Sequence, residues 1–117
     1  MITVYGIRNC DTCRKALRWL NDERIAHRFH DFRADGLNRA QLAAWVAELG
    51  WERLLNRRGT TWRKLAEADR ADVTEADAVR LMAANPTLIK RPVLDTGSTR
   101  MVGFSQAERE ALAAVES

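Results

Sequence analysis

An apolar run, Met1-Ile2-Thr3-Val4-Tyr5, passes through Gly6-Ile7-Arg8-Asn9 into Cys10-Asp11-Thr12-Cys13, which holds both cysteines of the 117-residue chain. Beyond it, Cys13, Ala16, Leu17 and Leu20 recur at helical spacing and predict a helix near 11–23 with one apolar face. The cysteines therefore fall where a strand hands over to a helix. There the first backbone N–H groups lack partners and the helix dipole is positive, so thiolate is favoured over thiol. Such a position can bring a cysteine pKa from about 8.5 into the range of about 3.5 to 7.5. Cys10 is thus the expected nucleophile. Cys13, one turn on and on the same side, can displace whatever Cys10 has bonded.

Ile25 to Phe32 reads as a second strand, and a strand, a helix and a strand this close together imply a βαβ unit with parallel strands. Asp35-Gly36 marks a turn, and Leu42, Trp45, Val46 and Leu49 form a helical stripe ending at Gly50. Trp51 to Leu55 adds a short turn. Asn56-Arg57-Arg58-Gly59 is a loop, after which Thr60 or Thr61 can cap a helix through Leu65. Thr74-Glu75-Ala76-Asp77 and Ser105-Gln106-Ala107-Glu108 both read as capping boxes, the first for a helix stopping before Asn85-Pro86, the second for a last helix carrying Leu112 and Val115. Between them Val93-Leu94 and Arg100 to Phe104 form a hairpin around Thr96-Gly97-Ser98. The fold class is α/β, in the order βαβ, helical insertion, ββα.

Met1 to Tyr5 reads as a strand at once, so no leader peptide is expected, and no apolar run approaches membrane-spanning length. The expected location is the cytoplasm, where a CxxC pair points to catalysis or metal binding rather than to a structural bridge. The net charge of +3 comes from dispersed arginines among 16 acidic residues, so a nucleic-acid surface is not expected.

Cys10, Cys13, His27 and His30 have the spacing of a zinc finger, but in such fingers the histidines ride on a helix. Here they fall on a strand, three positions apart and on opposite faces, and read as half-exposed strand residues. No metal is expected. Asn9 and Thr12 can hydrogen-bond near the sulfur. Arg14 and Lys15 add positive charge there, which Asp11 opposes. Pro92 follows Lys90-Arg91 and opens a strand. On its own it reads as a trans proline on an edge strand, although only X-Pro bonds take the cis form at appreciable frequency. Arg58 and Arg91 could hold an anion through paired hydrogen bonds, but nothing in their local sequence distinguishes them from solvated arginines.

These segments together resemble the arsenate reductase (ArsC) family of thioredoxin-like proteins, in its Spx and YffB-type branch. The resemblance is carried by Tyr5 to Thr12, Asp31 to Gly36, Leu54 to Leu65, Asn85 to Leu94 and Val102-Gly103-Phe104. It implies a single thioredoxin-like domain over 1–117 with a helical insertion at about 37–85, a catalytic Cys10, and a cis bond between Arg91 and Pro92. It also implies that Arg58 and Arg91 are anion-binding. The family's third arginine falls on Gly103, which leaves an oxyanion site short of one charged donor and argues against arsenate itself. Arsenate reductases of this kind lack the second cysteine and rely on glutathione and glutaredoxin, whereas Cys13 resembles the CxxC switch of Spx regulators. The expected function is a glutathione-dependent thiol-disulfide reductase: Cys10 attacks, Cys13 or glutathione resolves, Asn9, Thr12, Arg58, Arg91 and Pro92 bind the substrate, and no cofactor is bound. The alternatives are an Spx-like redox-sensing regulator that contacts RNA polymerase, and an arsenate reductase.

Overall fold

The computed structural model describes residues 1–116. The chain divides into two compact units, one formed by Met1–Gly36 with Arg91 onward, the other by Leu37–Lys90.

The first unit is built on a four-stranded sheet of β1 (Ile2–Gly6), β2 (His27–Asp31), β3 (Val93–Asp95) and β4 (Arg100–Val102), ordered β2-β1-β3-β4. Strand β1 runs parallel to β2 and antiparallel to β3, and β3 pairs antiparallel with β4. All five residues of the central β1 are buried. The register sets Val4 beside Phe29 on one side and Leu94 on the other, with Met101 next to Leu94. These alternate residues share one face of the sheet. Helix α1 (Asp11–Asp22) contributes Leu20 to the same cluster, and the C-terminal helix at Gln106–Glu116 contributes Leu112. Ile2, Val4, Leu20, Leu94 and Leu112 have no exposed surface.

Helix α1 follows from its spacing: Cys13, Ala16 and Leu20 are buried, while Arg14, Lys15 and Arg18 face out. Its C-terminus is closed by Arg24 in the left-handed region, φ 57°, and by Ile25 N–H donating to the Leu20 carbonyl at 2.9 Å. The second strand is shorter than Ile25 to Phe32. It stops at Asp31 because that carboxylate accepts from the Arg33 N–H at 2.8 Å and the Ala34 N–H at 3.4 Å, capping a helical turn, α2 (Phe32–Asp35), where only a turn at Asp35-Gly36 is expected. His27 and His30 donate to the backbone carbonyls of Ile25 and Gly36, at 2.8 and 2.7 Å.

The second unit is helical: α3 (Arg39–Leu49), α4 (Trp51–Leu54), α5 (Thr60–Lys64), α6 (Glu67–Arg70), α7 (Glu75–Ala84) and a 3-10 turn at Pro86–Leu88. Gly50, at φ 87°, ends α3 as its position predicts. Thr74 and Asp77 form the reciprocal capping box of α7. Neither Thr60 nor Thr61 caps α5. Gly59 holds the cap position without a side chain, and the Thr61 hydroxyl lies 2.8 Å from that of Thr87 instead. Trp45, Leu42, Leu54, Leu55, Met82, Leu88 and Ile89 are the largest side chains buried in this unit. Asn56 N–H donates to the Leu88 carbonyl and Lys90 N–H to the Leu54 carbonyl, both at 2.7 Å, which ties the loop carrying Arg57 and Arg58 to the segment before Arg91. Among the described residues no helix is long and apolar enough to cross a membrane.

The last helix begins at the Ser105–Glu108 box, whose carboxylate accepts the Ser105 N–H at 2.7 Å. Leu112 is buried as expected, but Val115 is 45% exposed and belongs to the outer face.

Candidate active site

Strand β1 ends at Gly6, and four residues later Cys10 occupies the N-cap position of α1 with extended backbone angles, φ −142° and ψ 120°. Its carbonyl already accepts the Arg14 N–H at 3.0 Å, so its sulfur stands at the open end of the helix, half-buried. The loop between is held from the side by Asp31, whose carboxylate accepts the Arg8 N–H at 3.2 Å. Asp31 is 6% exposed. Burial alone would raise its pKa, but the N–H groups of Arg33, Arg8 and Ala34, with the Arg8 charge, hold it below the ordinary carboxylate range.

The two thiols are pushed in opposite directions. Partial burial opposes ionisation of Cys10, yet the Cys13 backbone N–H, the Cys13 thiol and the Arg91 guanidinium together bring its pKa below the usual cysteine value. No side-chain hydrogen bond of standard geometry caps the helix, so the Cys13 groups act on the Cys10 sulfur chiefly as oriented dipoles. Cys13 is fully buried, and that burial, together with the neighbouring Cys10 charge, pushes its pKa up to about 12 despite a hydrogen bond from Ile7 and the Arg91 charge. Of the two coupled thiols, Cys10 is therefore the one that ionises first.

Of the residues expected at the site, the structure brings Cys10, Cys13 and Arg91 together. The Arg91–Pro92 bond is cis. The Pro92 carbonyl accepts the Gly103 N–H at 2.8 Å, so this backbone oxygen is already engaged within the fold. Gly103 has a left-handed φ of 92°. Asn9 and Thr12 are exposed beside Cys10, and the groups that lower its pKa are Cys13 and Arg91 rather than these two. Arg14 is paired with Asp11 at 2.9 Å on the outer face. Arg58 lies in the second unit, where it lines an open basic recess with Glu52, Leu55, Arg57 and Lys90.

Two positions that shape the site escape a residue-by-residue reading of the sequence. One is Asp31, signalled only by its place at the end of a strand before a short helical turn. The other is Gly6. A β-carbon there would overlap the Cys13 Sγ.

A cysteine at the junction of a central strand and its following helix, with a buried second cysteine one turn on and a four-stranded mixed sheet behind them, is the arrangement of a thioredoxin-like protein. The sequence profile of the ArsC family matches residues 5–112, and the chain belongs to that family. The solved structure of the YffB protein is 48% identical over 100% of both chains, with a TM-score of 0.91. An uncharacterized protein of Haemophilus influenzae is 46% identical over 95% of this chain and 97% of its own length. The global transcriptional regulator Spx of Streptococcus mutans is 27% identical over 92% of this chain and 80% of its own.

Proposed function

We propose that this protein is a glutathione-dependent thiol-disulfide reductase with Cys10 as its nucleophile. The observation that carries the reading is the division of labour between the thiols, with Cys10 favoured as thiolate beside Arg91 and Cys13 held protonated behind it. The Cys10 thiolate attacks one sulfur of a substrate disulfide. An S–S bond forms at Cys10, and the departing thiolate takes a proton from water. A glutathione thiolate, or Cys13 after losing its proton, then attacks the Cys10 sulfur and releases the second substrate thiol. Further glutathione returns Cys10 to the thiolate and leaves as glutathione disulfide.

Formation of the mixed disulfide removes the negative charge on Cys10, one of the influences that hold the Cys13 proton. Cys13 is therefore easier to ionise at the step where it would act. Arg91, whose charge acts on the Cys10 sulfur, is the proposed partner for a carboxylate of glutathione. The exposed Asn9 and Thr12 flank the entering sulfur.

The test is the intact mass of Cys13→Ser isolated from cells without reductant, with peptide mapping of anything on Cys10. A glutathione adduct on Cys10 supports the reading. A free Cys10, or an adduct of protein alone, contradicts it.

A second reading draws on the likeness to a global transcriptional regulator over 92% of this chain. In it the cysteine pair senses oxidants and the protein contacts RNA polymerase. Co-purification with polymerase, with no turnover of mixed disulfides, would favour it.

A further inference from the structure

We propose that the outer face of α1, through Arg14, Lys15 and Arg18, docks an acidic, extended segment of a protein whose disulfide-held cysteine is the target of Cys10. The argument starts with the order of charge along the helix. Arg14, Lys15 and Arg18 stand early in it, the last turn holds no base, and Asp22 and Glu23 stand where it ends. The helix dipole favours the opposite order, acids first and bases last. Arg14 and Arg18, four residues apart, add a like-charge repulsion. The Asp11–Arg14 pair at 2.9 Å offsets part of that cost. Among the described residues, Lys15 and Arg18 reach no carboxylate at ion-pair distance. Nor do these cations serve the neighbouring thiol, since the charge that favours the Cys10 thiolate is that of Arg91.

All three are exposed, and with Asp11 they line an open groove of about 320 Å³ that starts one residue past Cys10. At a rise of 1.5 Å per residue, Arg14 stands about 6 Å and Arg18 about 12 Å along the axis from Cys10. An extended chain covers about 6.5 Å in two residues and about 13 Å in four. A target cysteine at Cys10 therefore brings its second and fourth neighbours level with Arg14 and Arg18, with Lys15 between. Asp11 opposes a carboxylate any nearer the cysteine. The chain that fits carries acidic residues two and four positions from its cysteine. Because it must also present sulfur to Cys10, it is a protein segment and not a nucleic acid.

This inference rests on Cys10 acting on disulfides, so its test reports the thiol and the docking separately. The probe is a cysteine peptide carried as its 2-pyridyl disulfide. The Cys10 thiolate attacks the peptide sulfur, an S–S bond forms between them, the bond to the pyridyl sulfur breaks, and pyridine-2-thione leaves after taking a proton from water. One disulfide replaces another, so no oxidant or reductant is consumed. Initial rates of pyridine-2-thione release are measured for two peptides of equal length, one with Glu two and four positions to either side of its cysteine and one with Gln there. Each rate is divided by that with 2-hydroxyethyl 2-pyridyl disulfide, a neutral reagent too short to span the groove, so that any change in the thiolate itself cancels.

The wild type should prefer the Glu peptide about fivefold, the worth of a few exposed ion pairs, and should lose that preference in about 0.5 M salt. Arg14→Gln/Lys15→Gln/Arg18→Gln should lose it as well. Arg39→Gln/Lys64→Gln/Arg70→Gln, which removes the same charge from exposed positions of the second unit, should keep it. No preference in the wild type, or equal loss in both triple variants, would overturn the docking. So would an equal dependence on Arg14, Lys15 and Arg18 shown by the 2-pyridyl disulfide of glutathione, because the groove would then belong to the small thiol. A Cys10 inert toward the neutral reagent would overturn the thiol reading and this inference with it, whereas a reactive Cys10 without the preference would overturn the docking alone.

Discussion

Arg91, immediately ahead of β3, sets its guanidinium charge against the Cys10 sulfur at the head of α1. Pairing of β3 with β1 is what brings the two ends of the chain together: Val93 lies opposite Tyr5 in the register, so Arg91 arrives at the end of the sheet where β1 gives way to the cysteine loop. That charge favours the thiolate form of Cys10.

Replacing Arg91 by Gln should therefore raise the Cys10 pKa and slow the reaction with mixed disulfides. A hydrogen bond to a charged group is worth about 1.5–3 kcal/mol, so kcat/KM should fall by about 10- to 150-fold. Stopped-flow alkylation across pH separates the two contributions: the pKa change shifts the midpoint, and the loss of substrate binding does not.

The thiols also predict how stability responds to alkali. Cys10 is depressed in the folded state, so stability rises with pH up to its unfolded value near 8.5. Cys13 is raised to about 12, so above pH ~8.5 the unfolded chain releases that proton first and stability falls toward pH 12. Urea unfolding between pH 7 and 11 should show this fall in the wild type and a smaller one in Cys13→Ser.

Asp31→Ala removes the acceptor shared by the N–H groups of Arg8, Arg33 and Ala34. Loss of a capping carboxylate costs about 0.5–2 kcal/mol. Because the Asp31 pKa is lowered on folding, its contribution is fully present above the ordinary carboxylate pKa and is lost as pH falls through the folded value. The stability gap between wild type and variant, measured by urea unfolding, should therefore close in acid.

Arg24 ends α1 with a left-handed backbone, φ 57°, which glycine adopts without strain. Arg24→Gly should stabilise the protein by about 0.5–1 kcal/mol, seen as a higher urea midpoint at unchanged m.

What could be read from residues alone follows from how local each signal is. The inner face of α1, the stop at Gly50 and the boxes at Thr74 and Ser105 depend on neighbours within one or two turns, and each stands where expected. Val115 did not follow its helical stripe, because the last helix ends its core contact at Leu112. Thr60 and Thr61 both stand where a cap is expected, but Gly59 takes that position and the Thr61 hydroxyl has a distant partner, Thr87. The short helix after Asp31 was hidden by Phe32, whose apolar side chain extends the strand pattern.

At the site, Cys10 and Cys13 announce themselves by spacing. The cis bond before Pro92 and the choice of Arg91 among many arginines came only through family resemblance, since both depend on pairing between opposite ends of the chain. Gly6 is legible only once the sulfur that fills its place is seen.

The central claim is tested most directly by steady-state reduction of a small glutathione mixed disulfide, with glutathione as donor and glutathione reductase reporting glutathione disulfide through NADPH. The wild type should turn over, and Cys10→Ser should fall to the uncatalysed rate. Turnover that survives in Cys10→Ser, or a wild type that is inert while its Cys10 still alkylates rapidly at neutral pH, would contradict the account.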